Sequence, residues 1–276
     1  SGVEHEMHLF GGALSNLFFA KSYVQNVTSE ATVSGVTAKR RADRALWGLG
    51  DGLRYDILEW LFVKASYEYA TRLPESRELF GNGGMVIENL RLEPERSHNV
   101  NLTLAVDALT SALGKLDGNL TGFVRETEQL IALFPLGELF RYDNLFEARA
   151  VGVEGALRWA SPGEWAELGG NATFQEFSNA STTGPLAPFE GERVPNRPYF
   201  WANAHLRLQA RDVVPPGDTL ALTWRSRYVR DFFLNWEGAG RKGPEDSVPS
   251  QLTHAAVLTY LTPTTGTAQM SFSAEV

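Results

Sequence analysis

The chain contains no cysteine, which excludes disulfides and thiolate metal sites outright. It has no apolar run approaching the ~20 residues that a membrane-spanning helix needs. It has no basic block, and with a net charge of −8 this argues against a nucleic-acid partner. The opening residues Ser-Gly-Val-Glu-His-Glu show no charged-then-apolar leader, so the reading at this point is a removed segment or a piece of something longer. Amphipathic helical windows are scarce. None of the five histidines falls in a zinc-helix spacing. His5 and His8 sit three apart in an alternating stretch and so point to opposite faces. No cofactor or metal is implied.

What the chain does have is alternation. Leu61, Val63, Ala65, Tyr67 and Tyr69 are apolar on one face, and Lys64, Ser66 and Glu68 are polar on the other. Val100, Leu102, Leu104 and Val106 repeat the pattern against Asn99, Asn101 and Thr103. Similar two-faced stretches recur from Met7 to Glu275 and give about twelve strands. Met7–Ala13 reads as one of them.

The connections alternate in length. Short turns are expected near Asp56–Glu59, Asp107–Gly114, Ala160–Glu164, Asp212–Gly217 and Thr262–Gly266. Long polar loops are expected at Val27–Arg40, Leu73–Glu93, Ile131–Arg141, Ser178–Asn196 and Asp231–Pro249. A soluble sandwich has no reason to gather its long loops at one end. A membrane barrel does, with short periplasmic turns and long extracellular loops. Tyr55, Trp60, Trp159, Trp165 and Tyr260 flank the short turns, where interfacial aromatics belong.

The expected fold is therefore all-β, an antiparallel up-and-down transmembrane β-barrel segment. Arg54, Lys64, Glu68, Asp117, Arg125, Glu154, Arg158, Glu167, Arg207, Arg225 and Arg227 then fall on the face away from lipid. A cation facing mid-bilayer costs ~2–4 kcal/mol, so this wall must be wet or packed against protein. It reads as a lumen, as a ladder of cross-strand ion pairs, or as both. Ser97 and His98 suggest a hydrolase, but neighbours on a strand cannot form a nucleophile–base pair on one face, and no third partner is identifiable. An enzyme is not expected.

Four segments carry a family resemblance. Ala70-Thr71-Arg72-Leu73-Pro74-Glu75 with Glu78-Leu79-Phe80-Gly81 precedes Leu92-Glu93-Pro94-Glu95-Arg96-Ser97-His98-Asn99. Asn144 leads to Gly152-Val153-Glu154, and Gly191 through Pro198 closes the series. In order and spacing they resemble the barrel of TonB-dependent outer-membrane receptors. The resemblance implies a barrel of about 22 strands filled by a plug. It also implies uptake of a scarce small-molecule ligand, siderophore-like or other, driven by an inner-membrane energy-coupling complex.

On that resemblance, residues 1–276 are a partial transmembrane barrel domain of the cell outer membrane, without plug, first barrel half or final strand. Its partners would be outer-membrane lipid and other polypeptides or fragments that complete the barrel and supply the plug. Open strand edges in a bilayer predict that the piece is not stable alone. A split-barrel scaffold and a self-contained twelve-stranded pore are the alternatives. Ligand contacts are expected at the loop bases, from Arg72, Glu78 and Asn82, from Arg193 and Asn196, and from Arg230, Asp231 and Trp236. Leu73 to Leu92 holds no histidine, which on the family pattern disfavours haem.

Overall fold

The computed structural model describes residues 1–33, 36–136, 138–214, 216–237, 246–262 and 270–275. It describes the side chains of all of these except 29–33, 36–40, 42, 134–136, 145–146 and 275. The alternating stretches form β1 (Gly2–Leu9), β2 (Leu14–Val33), β3 (Val36–Leu58), β4 (Leu61–Arg72), β6 (Glu95–Ser111), β7 (Gly114–Leu136) and β8 (Leu139–Ala160). They continue as β9 (Ala166–Asn179), β10 (Phe200–Arg211), β11 (Thr219–Val229), β14 (Gln251–Leu261) and β15 (Ser271–Glu275). Each pairs antiparallel with the next in one up-and-down sheet. The long loops hold the helix α1 (Ser76–Phe80) and three two-residue strands, β5 (Val86–Ile87), β12 (Phe232–Phe233) and β13 (Ser247–Val248). The sheet is open, with β1 and β15 at its edges. A self-contained twelve-stranded barrel would need those two paired, and among the described residues they are not.

Register carries the two faces around the sheet. Leu116, Trp159, Leu168, Leu206 and Trp224 are successive cross-strand partners on one face. One residue further along, Asp117, Arg158, Gly169, His205 and Arg225 form the corresponding row on the other. The apolar face is left bare: Leu102 and Leu120 are 60% and 56% exposed. Such a belt is stable only against hydrocarbon. All eleven charged residues expected on the other face lie on it.

Aromatics border the belt on both sides. Tyr55, Trp159 and Trp165 lie toward the short turns, with the Trp159 indole donating to the Leu113 carbonyl at 3.0 Å. Toward the long loops, Trp47 packs on Tyr69 with ring centroids 4.9 Å apart, and Tyr69 on His98 at 5.1 Å. The Tyr67 hydroxyl meets His98 Nδ1 at 2.9 Å. One polar pair interrupts the belt. Asp51 shares the outward face with Leu49 and Leu53, and the Asn16 amide donates to it at 2.5 Å.

Several sequence expectations change. Val27–Arg40 and Ile131–Arg141 are not loops: β2 and β3 stay paired to Val33–Val36, and β7 and β8 to Leu136–Leu139. Both stretches are rich in β-branched or aromatic residues, and above a membrane both faces of a strand are wet, so polar residues do not end it. Met7–Ala13 is broken by a one-turn 3₁₀ segment at Phe10–Gly12, where Phe10, Gly11 and Gly12 all have positive φ (53°, 68° and 97°). The turn expected at Asp107–Gly114 is shorter, because β6 bulges between Val106 and Leu109 and runs on to Ser111. Most of the turn at Thr262–Gly266 and the middle of the Asp231–Pro249 loop lie outside the described residues.

Candidate functional site

The inner wall is built by period-two geometry. Because side chains on one face recur every second residue, Arg225 and Arg227 both project from β11 to the side of Asp117, Asn119, Arg158, Asn171, Asn203 and His205. This face is concave and lines an open hollow of about 820 Å³. Small side chains make the room, among them Ala156, Thr223, Thr253 and Ala255.

Toward the short turns the wall is knit by ions. Arg158 reaches Glu167 at 2.6 Å and Asp117 at 3.7 Å, and Glu167 also meets His205 Nε2 at 3.1 Å. His205 can lie flat only because residue 169 is glycine: a Cβ there would sit 2.3 Å from the imidazole. Gly152 admits the Phe123 ring in the same way, 2.5 Å from where its Cβ would be. Higher up, the Asn203 amide donates to Asn171 at 2.9 Å, and Thr103 and Thr121 share a bond of 2.9 Å.

Above the wall the Leu73–Glu93 loop is pinned. Arg72 at the end of β4 holds Glu95 with two bonds of 2.6 and 2.8 Å and turns its other edge to Glu78 at 3.0 and 3.2 Å. Glu78 is buried, and its carboxylate also accepts the Glu75 N–H at 2.7 Å, capping α1. Gln25 donates to the Pro74 carbonyl at 3.1 Å, and Arg44 donates to the carbonyls of Leu90 and Leu92. Leu79 and Leu92 close over Val27 and Ile131 as a buried cluster. β5 adds itself in parallel to the edge of β8 at Phe140–Arg141, covering backbone that β9 does not reach.

The second long loop packs on the opposite side of the same hairpin. Leu130 and Ala132 join Ala148, Leu186, Phe189 and Trp236 in one cluster, whereas Ile131 belongs to the other. The β7–β8 extension is thus held between two loops.

The expected ligand contacts are placed as follows. Arg72 and Glu78 are brought together, as the clamp just described. Asn82 turns back on its own chain, where its Oδ1 accepts the N–H groups of Gly84 and Val86. Arg193 forms a forked pair with Glu176 at 2.7–2.9 Å. Glu176 pairs with Val151 and so belongs to the outward face. Arg193 and Arg230 both lie against the Tyr199 ring, 4.3 and 5.1 Å from its centroid. Asp231 is 3.8 Å from Arg230, and both are exposed. Asn196, at φ 57°, donates its N–H to the Phe233 carbonyl at 2.7 Å and ties two loops together. Trp236 stacks on Phe189 at 5.1 Å. The eight do not converge on one point. Ser97 bonds Asn99 on one face while His98 bonds Tyr67 on the other, so they form no dyad.

An open up-and-down sheet with a bare apolar belt and a hollow polar wall defines one side of a transmembrane β-barrel. The family model for TonB dependent receptor-like β-barrels matches residues 19–276, and the chain belongs to that family. Among solved structures it is similar to BauA, the ferric preacinetobactin receptor from Acinetobacter baumannii, with 15% identity and a TM-score of 0.68 over 99% of this chain and 37% of that one. The copper transporter OprC gives 17% identity and a TM-score of 0.71 over 98% and 40%. FyuA, the ferric yersiniabactin uptake receptor from Yersinia pestis, gives 12% and 0.65 over 99% and 43%. This likeness is one of fold, and the chain spans only 37–43% of the length of these receptors. No curated protein matches the sequence.

Proposed function

We propose that the chain is part of the wall of an energy-coupled receptor in the cell outer membrane, and that the receptor takes up a scarce small ligand. The observation that carries this is the pairing of a hollow, polar inner wall with outer loops pinned over it, on a sheet whose other face is an apolar belt. A pore needs the wall but not the pinned loops, and a soluble sheet needs neither. The similar solved proteins are named as receptors for ferric preacinetobactin and ferric yersiniabactin and as a copper transporter, which supports a metal chelate as the ligand. The open edges of the sheet are completed by further polypeptide, which also supplies a plug and meets the energy-coupling complex. The role is transport, not catalysis.

The test is uptake in cells that make the intact protein. It should fractionate with the outer membrane, and its deletion should abolish accumulation of at least one radiolabelled iron or copper chelate. Outer-membrane location with no uptake across such a panel would favour the split-barrel scaffold instead.

A further inference from the structure

Among the described residues, each of the five short turns holds a large apolar side chain at its tip and leaves it exposed. Phe10 follows β1, Leu58 ends β3, Leu113 follows β6, Trp165 precedes β9 and Val214 precedes β11. Phe10, Leu113 and Val214 are 79%, 79% and 81% exposed, more than any other large apolar side chain described. Turns in water favour Gly, Pro, Asn, Asp and Ser at such positions. Here successive turns stand two strands apart, so the apolar tips follow one another at ~10 Å around the rim.

The tips lie toward the outward face. Leu58 pairs with Leu61, which pairs with Val106 of the belt. The Leu113 carbonyl takes the hydrogen bond of the outward Trp159 indole. Val213 and Val214 wrap the Asp218 carboxylate, which also accepts from Tyr260, and Tyr260 pairs with Leu220 on the outward face. Charges of the same turns take the inward face: Asp56 with Arg54, Lys115 with Asp117, and Arg211 in step with Arg207. The two faces of the wall thus run on into the turns.

The opposite end of the belt stops sharply. Glu126 pairs with His98 in the upper aromatic border, Arg149 is 3.5 Å from Glu126, and Glu176 stands two residues past Phe174 on the same outward face. Below the lower border the outward surface stays apolar. The tips lie two to three residues past that border, ~7–10 Å along a strand. A strand tilt of ~40° makes this ~5–8 Å in depth, which matches the ~5–8 Å headgroup layer on each side of a bilayer.

On the receptor reading above, we infer that Phe10, Leu58, Leu113, Trp165 and Val214 seat the short turns in the headgroup layer of the periplasmic leaflet. Their partner is the lipid that covers the belt, because one apolar surface runs without a break from belt to tips. A polypeptide on the same tips would have to follow five turns around the outside of the barrel, where lipid stands. The seat fixes the barrel in depth from its periplasmic end. It leaves the charged inward side of the turns to water.

The test is fluorescence quenching on the intact protein carrying this chain, in phosphatidylcholine nanodiscs, where solvent reaches both faces. The chain has no cysteine, so with any cysteine elsewhere removed a bimane dye can be placed singly at Leu113→Cys or Val214→Cys. Glu138→Cys, exposed at the tip of the β7–β8 hairpin, is the water control. Lipid carrying a nitroxide on its headgroup should quench the two turn labels at least about threefold more than the control. Iodide should quench them at least about threefold less. Turn labels as open to iodide as the control, with no response to the nitroxide lipid, would overturn the inference. Labels shielded from both quenchers would overturn it too, since a polypeptide would then cover the tips. The readout does not depend on uptake, so a protein that transports chelates with its turns in water would sink this inference alone. Absence from the outer membrane would sink the receptor reading.

Discussion

His205 lies flat over Gly169, with its imidazole in the space that any side chain at 169 would occupy. The contact fixes the ring so that Nε2 meets Glu167, and Glu167 in turn holds Arg158. One missing side chain on β9 therefore orders charges on three strands. Gly169→Val should displace the ring and lower stability by ~1–3 kcal/mol, the usual cost of overpacking. Thermal loss of heat-modifiable migration measures it. The double variant Gly169→Val/His205→Ala should recover part of the loss, and no recovery would mean that the strain lies in the backbone.

The clamp at Arg72 makes a different prediction. Glu78 is 5% exposed and holds both Arg72 and the start of α1. Glu78→Ala should release the Leu73–Glu93 loop at a local cost of ~1–3 kcal/mol, reduced because Arg72 itself reaches solvent. Limited proteolysis of whole cells should then nick this loop while the barrel stays intact. An uncut loop in the variant would show that the Leu79–Leu92 cluster, the Gln25 and Arg44 bonds and the β5–β8 pairing hold it without the clamp.

How much of this could be read beforehand follows from where period-two alternation survives. Lys64 and Glu68 could be assigned to the inner wall because Leu61, Val63 and Tyr67 mark the other face. Residues 29–33 and 36–40 could not be assigned to strands, because in water neither face has to be apolar and the signal vanishes. Arg72 and Glu78 were recognisable as charged groups at a loop base, but a sequence does not show that they face each other. Trp47, Tyr69 and His98 were visible singly, and only register brings them into one border. Nothing in the sequence marks Gly169 and Gly152, and only the fold makes them seats for the rings of His205 and Phe123.

Asp218 should impose an acid limit on stability. It is 1% exposed in the turn before β11. Burial alone would raise its pKa, but the N–H groups of Val213 and Val214, at 2.7 and 3.0 Å, and the Tyr260 hydroxyl, at 3.0 Å, overcome this and hold it below the ordinary carboxylate value. A folded pKa below the unfolded one stabilises fully above the unfolded value, and that contribution disappears as pH falls through the folded value. Wild-type melting temperature should therefore drop on acidification below the ordinary carboxylate range. Asp218→Asn should start lower at neutral pH and show a shallower acid drop. Parallel curves for the two proteins would contradict this.

Asp51 sits on the outward belt four residues from Trp47 and four from Tyr55, between Phe18 and Tyr67, and accepts a hydrogen bond from the Asn16 amide. A carboxylate at that depth costs less than the ~2–4 kcal/mol of a cation but still opposes insertion. Asp51→Leu should raise stability against reversible unfolding in lipid vesicles by about 1 kcal/mol. A loss of similar size would mean that the carboxylate answers a protein partner in the membrane.

The β7–β8 extension, held by one loop through Ile131 and by the other through Leu130 and Ala132, bears on how a solute is received. Ordering a backbone residue costs ~1–2 kcal/mol, and here that loss is incurred at folding rather than on binding. On the receptor reading proposed above, the mouth would meet its ligand already shaped. A matching solute gains affinity from this, and a poorly matched one finds little freedom to mould the loops around itself.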